Sequence, residues 1–99
     1  MLELQLSNKT ENRLKQVLSM NANNDVFFNK AIDYQINELK KAVFNIEKDL
    51  KKYEEKYSLG SELFHEKFKN GEIGDEDDYM LWAGIYEMYL SDKQKLEML

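Results

Sequence analysis

The sequence predicts a mainly α-helical fold with one short N-terminal strand paired across a dimer, and three observations predict it. Residues 2–6 alternate strictly, Leu-Glu-Leu-Gln-Leu. From Ile32 to Tyr57 apolar side chains recur at spacings of four and three. Proline is absent and the glycines stand only at 60, 71, 74 and 84, so no helix-breaker interrupts the first 59 residues.

Composition narrows the class further. Hydrophobic residues make up 42% and charged residues 33% of 99 residues, the balance of one small helical domain with a thin core. No apolar run approaches the roughly 20 residues that span a bilayer, and no secretory h-region opens the sequence. A cytoplasmic protein without membrane contact is expected. Cysteine is absent and His65 is the single histidine, which leaves disulfides, thiolate metal sites and imidazole chemistry without material. No cofactor or metal is expected. The net charge of −5 is uneven: residues 1–57 hold ten Lys/Arg against nine Asp/Glu, and residues 58–99 hold four against ten. The second part thus carries −6 and suits a basic protein partner.

The elements follow in order. Alternation puts Leu2, Leu4 and Leu6 on one face and Glu3, Gln5 and Ser7 on the other. A lone strand leaves its backbone unpaired, and no second strand pattern occurs, so pairing with the same strand of a second copy is expected. Ser7 is placed to cap a helix over about 8–20 whose inner face carries Leu14, Val17 and Leu18. Residues 21–24, Asn-Ala-Asn-Asn, read as a turn, with Asn24 as the next cap and Asp25 at the positive end of the helix dipole.

The second helix is predicted to reach about residue 57. Ile36, Val43, Leu50 and Tyr57 occupy the a positions of an unbroken heptad seam, and Ile32, Leu39, Ile46 and Tyr53 the d positions. In a parallel pair Asp49 at g would face Glu54 at e of the partner. An antiparallel crossing, or packing of later helices onto the seam, fits better. Gly60 marks a stop or turn, and Ser61 is expected to cap a short helix with Leu63, Phe64 and Phe68 on its apolar side. Asn70-Gly71 and Gly74 mark a loop. A last helix over about 77–91 follows the acidic run 75–78, which reads as a complement to the helix dipole and a solvated turn, since calcium-loop spacing is missing. That helix is apolar nearly all round. Tyr79, Trp82, Ala83, Tyr86, Tyr89 and Leu90 form one stripe, and Leu81, Ile85 and Met88 another. Its aromatic residues either fold back as core or meet a partner protein.

Taken together, the opening strand, Arg13-Leu14 within the first helix, and Asn24-Asp25-Val26-Phe27-Phe28-Asn29-Lys30-Ala31-Ile32 resemble the ribbon-helix-helix proteins. These include the methionine and Arc repressors and many bacterial antitoxins. The resemblance covers about residues 2–40, and the remainder looks like the extended C-terminal region of a type II antitoxin. It implies a two-stranded ribbon entering the DNA major groove, with Glu3, Gln5 and Ser7 outward and Gln5 able to bind adenine. The turn at Asn23 and Asn24 would hold a phosphate on backbone N–H groups, and Lys9, Arg13 and Lys30 would add positive charge.

The organisation expected is therefore a dimerising, DNA-contacting module over 1–40, an extension of the long helix over 41–58, and a partner-binding region over 59–99. Phe64, Phe68, Tyr79, Trp82, Tyr86 and Tyr89 are the expected partner-binding residues. The function that follows is an antitoxin: a non-enzymatic dimer expected to repress its own operator and to neutralise a basic toxin. The competing expectation is a structural helical oligomer without DNA binding. No nucleophile elbow, metal set or phosphate loop points to an enzyme, and His65 is expected at the surface.

Overall fold

The computed structural model describes residues 2–99 and contains four helices: α1 (Asn8–Ser19), α2 (Asn24–Tyr57), α3 (Ser61–Lys69) and α4 (Asp77–Glu97). Among the described residues there is no strand. The predicted ribbon is thus corrected: residues 2–7 carry no regular secondary structure and are exposed. Alternation allots side chains to two faces, but a strand also needs a second backbone, and this chain supplies none.

Helix ends follow their capping chemistry. The Ser7 hydroxyl accepts from the Thr10 N–H at 3.2 Å, as expected of the cap of α1. At α2 the capping residue is Asn23 instead of Asn24: its side-chain oxygen accepts from the Val26 N–H at 3.3 Å, and Asn24 is the first helical residue. Helix α2 ends at Tyr57 as its seam predicts, but Gly60 does not supply the stop. Ser58 takes the left-handed conformation, φ 51°, and the Leu59 N–H reaches back to the Glu54 carbonyl at 3.2 Å. Helix α3 closes the same way with the glycine such a turn prefers, Gly71 at φ 74°, as the Glu72 N–H bonds the Lys67 carbonyl at 3.0 Å. Helix α4 outruns its expected end by six residues, reaching Glu97, because Ser91–Glu97 contains no breaker.

The chain divides into two units, Met1–Tyr34 and Gln35–Leu99. In the second, α4 runs antiparallel to α2 and covers the C-terminal part of the seam. Ile46 and Leu50 join Phe64, Trp82 and Ala83 in the buried core. The alternative in which the later helices pack onto the seam is the one the molecule adopts. Tyr53, Tyr57, Phe68, Tyr79, Tyr86 and Tyr89 are packed around that core at partial exposure. The first unit is different in kind: none of its described residues is buried, and only Leu14, Leu18 and Phe27 are half-buried.

Candidate functional site

The molecule offers two candidate surfaces, one in each unit. In the N-terminal unit Leu2, Leu4 and Leu6 lie beside Leu14 and Leu18 of α1 and line a shallow, open groove. The alternation therefore does gather the three leucines, against a helix of their own chain. They remain wet, however: Leu2 is 81% exposed and even Leu6 is 40% exposed. Met20, Val26, Phe28 and Ile32 are exposed as well. Phe27 and Phe28 meet edge to face at 5.2 Å, which shields part of one ring.

The residues expected to meet DNA are not brought together as a reading surface. Glu3 and Gln5 are exposed on the irregular segment, and Lys9 and Arg13 are exposed on α1. Ser7 and Asn23 spend their side-chain oxygens on helix caps, and Asn24 is exposed in the first turn of α2. With no strand, Glu3, Gln5 and Ser7 have no ribbon to present them.

The C-terminal unit is organised around Trp82. Its ring is fully enclosed and stacks on Phe64 at 3.7 Å between centroids and 3° between planes. Tyr53 and Tyr57 lie nearly parallel to it at 5.6 and 5.8 Å. A buried indole N–H needs an acceptor, and the Ser61 hydroxyl provides it at 2.9 Å. Ser61 in turn donates from its hydroxyl and its backbone N–H to one carboxylate oxygen of Glu54, at 2.7 and 2.9 Å. Ser61 is therefore not the cap of α3 but its first residue, with Gly60 at the cap position. Its side chain is committed to a relay from α2 through α3 to α4.

Of the six aromatic residues expected at a partner surface, Phe64 and Trp82 are wholly enclosed by the chain's own core, so a partner cannot touch them in this conformation. Phe68, Tyr79, Tyr86 and Tyr89 are half-buried against it. Burial raises the Tyr86 hydroxyl above the ordinary tyrosine range, with the Glu62 carboxylate adding to the effect. His65, expected at the surface, is instead tucked beside Tyr86, with its side chain 13% exposed and Nε2 3.2 Å from a Glu87 oxygen. Asp78, from the acidic run, accepts from Lys56 at 2.7 Å and from the Tyr57 hydroxyl at 2.6 Å. Hydrogen bonds from Lys56 and then Tyr57 hold its carboxyl below the usual carboxylate range. Among the described residues, no three His, Asp or Glu side chains converge as a metal site requires, and no helix is long and apolar enough to cross a membrane.

Sequence reasoning missed the relay through Glu54 and Ser61 and the ion pair of Lys56 with Asp78. They join residues 7, 21 and 22 positions apart, across helix ends, where no local or periodic pattern marks the partners. No family model, curated protein or solved structure matches this chain.

Proposed function

We propose that this chain is a non-enzymatic helical interaction protein. Its N-terminal unit self-associates through the uncovered leucine groove, and its acidic C-terminal unit meets a partner protein. One observation carries the reading: a unit of 34 residues keeps an apolar side but has no buried residue among those described. Helix α1 has 12 residues, a length at which an isolated helix is only marginally stable in water. Each leucine fully buried stabilises by about 1.5–3 kcal/mol, so a few such side chains covered by a second copy suffice to favour association.

An antitoxin role is the specific form of this proposal. It is supported by the charge of −6 over residues 58–99 (four Lys/Arg against ten Asp/Glu), which favours a basic partner over a neutral one. Operator binding draws its support only from Lys9, Arg13 and Lys30, exposed in the N-terminal unit. The reading without DNA binding is the better supported of the two.

Light scattering across a concentration series tests the proposal. The expected result is a dimer or larger that dissociates when Leu6 and Leu14 are changed to Glu, with helicity of the C-terminal unit retained. A monomer at every concentration would overturn it. Titration with the chain's own upstream DNA at rising salt separates the two forms, since phosphate contacts give a steep salt dependence.

A further inference from the structure

Helix α4 has a second face. Trp82, Tyr86 and Tyr89 point into the core, whereas Asp77, Leu81, Gly84, Met88, Ser91 and Lys95 repeat at spacings of four and three on the opposite side. The middle of this outer seam is apolar and bare: Leu81 and Met88 are each 57% exposed, as is neighbouring Met80. Gly84 sits between them inside the helix, where glycine costs roughly 1 kcal/mol relative to alanine. Its own fold gives no reason for it, because an added Cβ would meet nothing within 4 Å. Glycine in a seam lets another helix approach closely, and exposed methionine adapts to whatever packs on it.

The charges beside the seam select what that other helix is. Glu87 flanks it on one side and Asp92 on the other, while Asp78 on that second side is already paired with Lys56. A parallel pairing with a second copy would set Asp77 against Asp77, Lys95 against Lys95, and Glu87 towards Asp92. An antiparallel pairing matches Asp77 to Lys95 but places Glu87 against Glu87. Like charges meet in either arrangement, which disfavours self-pairing. A helix with Lys or Arg at its flanking positions meets opposite charge instead.

We infer that the outer face of α4, centred on Leu81, Gly84 and Met88, docks an amphipathic helix of a partner protein with an apolar seam and basic flanks. The inference rests on the reading of the chain as an interaction protein and names the surface its partner uses. It does not depend on self-association of the N-terminal unit.

The test uses the full chain carrying ¹³C-methyl methionine and a synthetic helix matched to the 21 residues of α4, with a Leu/Ala seam and Lys flanks. A Glu-flanked version of the peptide serves as control. Saturable shifts of the Met80 and Met88 methyls, with Met20 unmoved, are expected for the Lys peptide and not for the Glu peptide. Leu81→Glu and the pair Glu87→Lys with Asp92→Lys should each weaken binding about tenfold or more. Gly84→Leu, at a position where an added Cβ meets nothing within 4 Å, should block close approach while leaving the melting transition intact. Absence of binding, unmoved Met80 and Met88 methyls, or equal affinity in Leu81→Glu would each overturn the inference. So would a smaller assembly for Leu81→Glu in light scattering, which would assign the face to a second copy. Unchanged assembly together with lost peptide binding keeps this result separate from the test of self-association.

Discussion

In the C-terminal unit, Trp82 and Phe64 are shut away from water and every partner group of the indole is accounted for. In the N-terminal unit the alternating Leu2, Leu4 and Leu6, with Phe28, stay open to solvent. Apolar periodicity is common to both. The difference is whether the same chain returns an opposing face: α4 comes back along the seam of α2, while the groove beside α1 stays open, lined by five leucines with Glu11 and Lys15. Periodicity states which face wants burial, and topology decides whether one chain can provide it. An apolar face left unburied within its unit is what the proposed self-association would cover.

Trp82→Ala should have the largest effect on the C-terminal unit. Removing the ring leaves a void beside Phe64 and Tyr53 and takes away the donor to the Ser61 hydroxyl, at a cost of about 3–5 kcal/mol. In a unit this small that should abolish cooperative melting followed by circular dichroism near room temperature. A variant melting within about 1 kcal/mol of the parent would mean that the aromatic stack is not what holds the unit together, and the contrast between the two units would collapse.

A second substitution sharpens the comparison by separating packing from polar satisfaction. Ser61→Ala keeps the aromatic stack but leaves the buried indole N–H without its acceptor and removes a donor from Glu54. A loss of about 1–3 kcal/mol is expected in chemical denaturation. Glu54→Gln retains an acceptor for Ser61 and should lose less. If Ser61→Ala costs nothing measurable, the indole is reaching water, and the core is more open than its burial implies.

Much of this architecture was legible beforehand because its signals are local or periodic. The Ser7 cap and a turn near 21–24, one residue longer than the break observed, follow from residue chemistry read within a few positions, and the end of α2 near Tyr57 follows from its seam. The heptad seam also announced that something would cover Val43, Ile46 and Leu50. The strand was misread for a physical reason: Leu2, Leu4 and Leu6 carry the side-chain signal of a strand, but hydrogen-bonding partners have no sequence signature of their own. The placement of Phe64 and Trp82 was undecidable for a related reason, since an aromatic stripe wants burial equally on its own chain or on another. The outer seam of α4 was visible in part as Leu81 and Met88, but Gly84 gained meaning only when the space around it proved empty.

The smallest expected effect lies at the edge of the ordered unit, where Asp78 joins α4 to the end of α2. Asp78→Asn removes the charge that Lys56 and Tyr57 bind, and since all three groups are solvent-screened the melting temperature should fall only slightly at neutral pH. The pH dependence is the more telling readout. The carboxyl of Asp78 is held below its ordinary value by Lys56 and then Tyr57, so its contribution is present above about pH 4 and is lost as pH falls through the depressed value. Lys56 and Tyr57 are both shifted upward, chiefly by their hydrogen bonds to Asp78. Their contribution is present below about pH 10 and disappears as pH rises through the raised values. The gap in melting temperature between parent and Asp78→Asn should accordingly form a plateau between those limits and close at both ends. A gap that persists below pH 3 would show that the aspartate acts through packing, and that the rim of the ordered unit is tied down by shape instead of charge.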